Sequence, residues 1–122
     1  MIELDYNRFV NHMRNIYNEN WEPTDIKIDY PSDNEREFTK PEVFEELKEL
    51  CRKVSLGLPF MRSDFYIVDN KIYFGELTFF PEAGFVHIKP EEYQQKLGDW
   101  LVIKAVDETN GGADYGYLER VI

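Results

Sequence analysis

Cysteine is nearly absent: Cys51 is the only one in 122 residues, so the chain closes no internal disulfide. Histidine is scarce as well. His12 and His87 are the only two, and neither has a cysteine or second histidine at a spacing that holds zinc. Basic residues are outnumbered, with 14 Lys and Arg against 24 Asp and Glu and a net charge of −10. That balance excludes nucleic acid as a partner, because nucleic-acid binding rests on neutralising phosphates with Lys and Arg. It also repels acidic polymers from the surface as a whole, so an acidic substrate has to be received locally. No apolar run approaches a membrane span, and Met1-Ile2-Glu3-Leu4-Asp5-Tyr6 lacks the basic start and apolar core of a signal peptide. A cytoplasmic location is the resulting expectation.

What is present is material for one core. Hydrophobic residues make up 43% of the chain and aromatics 16%, which excludes disorder throughout and suits a single domain of this length. Phe9, Val10, Met13, Ile16 and Tyr17 recur at helical spacing, so a short helix is predicted over 5–18 with His12 on its polar, solvent-facing side. Residues 19–38 read as a long loop, punctuated by Pro23, Pro31 and Ser32-Asp33-Asn34, with a short strand where Ile26, Ile28 and Tyr30 alternate with polar neighbours. Thr39-Lys40-Pro41-Glu42 has the form of a capping box with Pro in the first turn. The helix it opens carries Val43, Phe44, Leu47, Leu50, Cys51 and Val54 on one face, and Gly57 and Pro59 stop it. Cys51 on that stripe is core packing rather than a reactive thiol.

Further on, Phe85 to Lys89 suggests a short strand in which His87 faces solvent between Val86 and Ile88. Pro90 to Val102 suggests a second helix with Tyr93, Leu97, Trp100 and Leu101 on its apolar face and Gly98 weakening its interior. After an Asn110-Gly111-Gly112 turn, the apolar residues Tyr115, Tyr117, Leu118, Val121 and Ile122 point to an added strand or a docking segment. The fold class expected is α+β, an antiparallel sheet packed by two or three helices, with residues 1–103 as one domain and 104–122 as a C-terminal extension.

The chemistry concentrates in two consecutive predicted strands, around Asp64 in Arg62-Ser63-Asp64-Phe65-Tyr66 and Glu76 in Phe74-Gly75-Glu76-Leu77-Thr78. Their aromatic and β-branched neighbours read as sheet interior, where a carboxylate is costly unless a cation meets it. A three-residue Asp69-Asn70-Lys71 loop pairs Val68 with Ile72, Tyr66 with Phe74, Asp64 with Glu76 and Arg62 with Thr78, all on one face. A two-residue Asp69-Asn70 loop would set Asp64 opposite Gly75 and put the acids on opposite faces. The longer loop is preferred because Asn70 tolerates the left-handed backbone it requires.

Two carboxylates at cross-strand distance repel by about 1 kcal/mol in water and by several times that at a protein-like dielectric. Arg62 offsets part of the repulsion. Magnesium would offset more, with Asp64, Glu76 and the Thr78 hydroxyl as oxygen ligands and Arg62 free to hold a transferred phosphoryl group. Decoration of the surface by an ordinary salt bridge is the competing explanation, worth about 0 to 1 kcal/mol. The Phe79-Phe80-Pro81-Glu82-Ala83-Gly84-Phe85 loop just beyond the acids favours a binding role, since loops at strand ends carry substrates.

The runs Pro59-Phe60-Met61-Arg62-Ser63-Asp64-Phe65-Tyr66 and Lys71-Ile72-Tyr73-Phe74-Gly75-Glu76-Leu77-Thr78-Phe79, followed by Pro81 and Gly84-Phe85, closely resemble the C-terminal part of TupA-like ATP-grasp proteins. The resemblance extends upstream through Tyr17, Asn20-Trp21 and Lys40-Pro41. Downstream it takes in Pro90-Glu91-Glu92-Tyr93 and Lys96-Leu97-Gly98-Asp99-Trp100-Leu101, so that residues 8–101 are covered. It implies the C-terminal subdomain of the ATP-grasp fold and an ATP-dependent carboxylate-amine ligase, which activates a carboxylate as an acyl phosphate for attack by an amine. The substrates it implies are those of cell-surface polysaccharide biosynthesis, such as an amino acid and a sugar-acid polymer.

Matched residue by residue, Asp64 and Glu76 resemble the metal-binding acids and Arg62 the phosphate-contacting, catalytic arginine. Thr78 stands where many ATP-grasp enzymes have a metal-binding Asn, Glu76 and Arg62 contact the nucleotide, and Phe74 is the candidate to face adenine. Mg2+ (or Mn2+) and ATP are the implied cofactors. The N-terminal ATP-binding half of the clasp is not found in this sequence, so another chain or upstream sequence is expected to complete the site. A non-catalytic binding module derived from the ATP-grasp fold is the alternative, and a sugar-nucleotide enzyme of the same pathway is a distant third.

Overall fold

The computed structural model describes residues 1–101, and the expectations for Val102 and for the 104–122 extension lie outside the described residues. The fold is α+β, as expected. In chain order it comprises β1 (Ile2–Tyr6), β2 (Met13–Tyr17), β3 (Lys27–Ile28), α1 (Phe44–Ser55), β4 (Arg62–Val68), β5 (Lys71–Thr78), β6 (Ile88–Lys89) and α2 (Glu92–Trp100). A turn over Pro81–Gly84, in which Glu82 and Ala83 take positive φ, lies between β5 and β6 in the chain. The strands form three two-stranded antiparallel pairs, β1 with β2, β3 with β6 and β4 with β5. Two compact units result, one built from Met1–Lys40 with Pro81–Asp99 and the other centred on Pro41–Phe80. Among the described residues no helix is long and apolar enough to cross a membrane.

The helix expected over 5–18 is not formed; a β-hairpin stands in its place. Ile2-Glu3-Leu4-Asp5-Tyr6 alternates strictly between apolar and acidic residues, which is the period of a strand. Asn7 ends it in a left-handed conformation, φ 54°, and its carbonyl accepts from the Val10 and Asn11 amides in a tight turn. Phe9 and Val10, which supplied the helical spacing, stand almost fully exposed in that turn. The cross-strand attraction of Asp5 for its register partner Arg14 favours this pairing.

Strand β2 is central in its unit because the long loop supplies its second neighbour. The Ile16 carbonyl accepts from both the amide and the hydroxyl of Thr24, and the Arg14 amide donates to the Pro31 carbonyl. Residues Arg14 through Tyr17 are consequently all buried. Ile16, Ile26 and Ile28 form the core, packed by Met1, Val86, Ile88 and Tyr93. Each buried aliphatic chain of this kind contributes about 1.5 to 3 kcal/mol before entropy is subtracted. Asn15, also buried, is satisfied by a reciprocal pair: its Nδ2 donates to the Asp33 carbonyl at 2.8 Å and its Oδ1 accepts from the Asp33 amide at 3.0 Å. The two expected short strands pair with each other as β3 and β6, narrowed to two residues each.

The one charged residue of β2, Arg14, is held by acids. Arg14 donates to both Asp5 oxygens, at 2.6 and 3.0 Å, lies 3.3 Å from Glu3 and sits over the Tyr30 ring. His12 is not solvent-facing as expected. Its ring lies 3.7 Å from that of Tyr30, and its Nε2 is 3.4 Å from Asp5 Oδ1 but out of line for a hydrogen bond. A hairpin brings residues 5, 12 and 14 together, whereas a helix would have spread them.

In the other unit, α1 begins at Phe44 rather than at the anticipated capping box, and its N-cap, Val43, makes no side-chain capping bond. Pro41 and Glu42 instead form a turn in which the Phe44 amide donates to the Pro41 carbonyl. Phe44 is the buried anchor of the apolar face, and Glu45, Glu46, Arg52 and Lys53 sit at the helix ends that favour their charges. Gly57, with φ 80°, follows the end of the helix as expected. The Cys51 thiol is free and half-buried, and accepts a hydrogen bond from the Ser63 hydroxyl at 3.3 Å.

Burial opposes ionisation of Asp5, but the hydrogen bond and charge of Arg14, helped by His12, outweigh it and hold the carboxyl below its ordinary value of 3.8. Because the folded value lies below the unfolded one, the pair stabilises fully at higher pH and is lost as pH falls through the folded value. The denaturation midpoint is therefore expected to drop below about pH 4, the ordinary range of Asp. In Asp5→Asn the acid limb should be shallower and stability at neutral pH lower. A limb unchanged by the substitution would contradict this account.

Candidate functional site

Asp69 and Asn70 both take positive φ, 50° and 56°, which makes the β4–β5 connection a two-residue hairpin turn. The expected three-residue loop is thus replaced, and Val68 pairs with Lys71 rather than Ile72. The ladder continues through Ile67 with Ile72, Tyr66 with Tyr73 and Phe65 with Phe74, then slips by one residue between Asp64 and Phe65. Gly75 is passed over, and Asp64 meets Glu76, Ser63 meets Leu77 and Arg62 meets Thr78. A β-bulge therefore restores the acid pair that a continuous two-residue register would have separated.

Glycine is required at the bulge. A Cβ at Gly75 would lie 2.8 Å from the Asp64 carbonyl oxygen and 3.1 Å from the Tyr66 ring. The backbone of β5 approaches β4 too closely there for any side chain.

The bulge brings four of the expected site residues together. Arg62 grips Asp64 with a fork, Nε to Oδ1 at 2.9 Å and Nη2 to Oδ2 at 3.0 Å. Its Nη2 also reaches Glu76 Oε1 and Thr78 Oγ1, each at 3.3 Å. The Arg62 and Asp64 side chains are partly buried, at 26% and 36% exposure, while Glu76 is 65% exposed. At that exposure the ion pairs contribute about 0 to 1 kcal/mol to stability.

Phe74 is not brought into this group. It lies opposite Phe65, edge to face at 5.9 Å, and Phe65 points away from the face of Asp64 and Arg62 by strand alternation. Tyr66 and Tyr73, about half exposed, are the aromatic cross-strand pair on the Asp64 side of β4. The shorter turn sets Tyr73 rather than Phe74 opposite Tyr66, and no feature of the sequence apart from the Asp-Asn pair signals that turn.

The donor set, two carboxylates and a hydroxyl now held by Arg62, is of the oxygen type that a hard divalent cation takes. Among the described residues no group of three or more His, Cys, Asp or Glu that could hold a metal ion converges. The Arg62 fork suits a phosphoryl group as well as it suits the carboxylate it now holds.

Gly75→Ala is expected to cost about 1 to 3 kcal/mol in chemical denaturation, the usual range for forcing atoms into a packed site. Gly98→Ala, in α2 with open space around the new methyl, should instead stabilise by about 0.5 to 1 kcal/mol. Equal effects at the two positions would contradict the bulge as described.

A family model described as TupA-like ATPgrasp matches residues 1–102, a span that takes in both compact units. No curated protein and no solved structure matches the chain.

Proposed function

The chain belongs to the TupA-like ATP-grasp family, and from that premise we propose that it supplies the cation- and phosphate-binding part of an ATP-dependent carboxylate-amine ligase of cell-surface polysaccharide assembly. One observation carries the reading: Arg62, Asp64, Glu76 and Thr78 form a single hydrogen-bonded group on one face of the β4–β5 hairpin.

Asp64 and Glu76 would hold Mg2+, with the Thr78 hydroxyl beside them. When bound, such an ion neutralises phosphate oxygens and stabilises the charge that develops on the transferred phosphoryl group. Arg62 would orient that phosphoryl group through its fork of N–H donors. In the reaction, a substrate carboxylate oxygen attacks the terminal phosphorus of ATP and ADP departs. An amine then attacks the acyl phosphate carbon and expels inorganic phosphate. The net charge of −10 favours drawing a cation to this face, and the acidic polymer would be received through that cation rather than by the protein surface.

A second reading, a non-catalytic module that kept the fold, is favoured by the full engagement of both Asp64 oxygens by Arg62. Calorimetric titration with magnesium and ATP separates the two. Asp64→Asn and Glu76→Gln are each expected to weaken binding of the nucleotide complex at least tenfold, about 1.4 kcal/mol. Superimposable curves for wild type and variants would favour the non-catalytic module.

A further inference from the structure

We infer that Arg62 is an internal counter-ion that a divalent cation has to displace, so that cation and phosphoryl ligand bind this face as a coupled pair. The inference rests on the assignment of Asp64 and Glu76 as cation ligands. In the structure the Arg62 guanidinium already fills that role, taking both Asp64 oxygens, one Glu76 oxygen and the Thr78 hydroxyl. The oxygens a cation would use are the ones Arg62 uses.

A cation arriving alone therefore meets a resident positive charge and strips it of its carboxylate partners. An anion arriving alone meets two carboxylates. Together the costs cancel: the cation takes the carboxylates, and the released guanidinium finds on phosphate the same two-oxygen acceptor it held on Asp64. Arg62 is a quarter exposed and Glu76 mostly exposed, and the bonds between them are side-chain bonds, so exchanging them leaves the pairing of the strands intact. Linkage then requires each ligand to tighten the other by the same factor. A merely decorative ion pair has no such consequence.

The test is Mn2+ binding to the full chain, with the unbound ion counted by electron paramagnetic resonance, in the absence and presence of inorganic phosphate. In wild type, phosphate is expected to tighten Mn2+ binding about tenfold, within the usual range of coupled sites. In Arg62→Gln, Mn2+ alone should bind about tenfold more tightly than in wild type, and phosphate should change it less than twofold. Arg62→Lys, which keeps the charge without the fork, should fall between the two and serves should the glutamine variant not fold. Mn2+ uptake that is lost in Asp64→Asn but indifferent to phosphate and to Arg62 would overturn the coupling and leave the site assignment standing. No uptake by wild type under either condition would overturn both.

Discussion

The slip of one residue at Gly75 is the constraint on which the candidate site depends. Without it, the two-residue turn at Asp69 and Asn70 would face Asp64 with Gly75 and carry Glu76 to the other side of the hairpin. With it, the turn keeps its favoured geometry while the distal half of the ladder shifts by one, so that Arg62, Asp64, Glu76 and Thr78 share a face. The close approach of the strands at that point leaves no space for a Cβ, which ties the residue type to the geometry and the geometry to the charges.

Among the described residues Arg14 and Arg62 are each held by two acids, and burial separates them. Arg14 is 9% exposed, locked between Asp5, Glu3 and the Tyr30 ring at the centre of a hydrogen-bonded unit. Moving it would leave charges buried and unpaired, so it serves the fold. Arg62 makes bonds of the same kind to Asp64 and Glu76 but is 26% exposed, with partners at 36% and 65%, so water screens these pairs more. Similar chemistry is buried in one unit and nearer to solvent in the other.

Much of this was legible in the chain and some was not, for reasons that can be named. The pairing of Asp64 with Glu76 follows from alternation and turn chemistry, although by a different route: a short turn plus a bulge gives the same partners as a longer turn without one. The helix α1 is visible in its apolar stripe, but its start is displaced because Pro41 favours a turn ahead of the helix. The N-terminal hairpin was hidden because Phe9 and Val10 mimic a helical face while lying in an exposed turn, and the alternating run Ile2–Tyr6 had to be read from its first residue to be seen. The Asp5, His12 and Arg14 cluster was hidden with it, since only the hairpin brings those positions together. Local pattern reveals elements well; it does not reveal which neighbour a strand will choose.

The central claim is most directly tested by the cross-strand nuclear Overhauser pattern of the hairpin in solution. The account predicts contacts that join residue 65 to 74 and residue 64 to 76, with Gly75 lacking a partner on β4. An uninterrupted pattern joining residue 64 to 75 and residue 63 to 76 would contradict it, because Glu76 would then point away from Asp64 and Arg62.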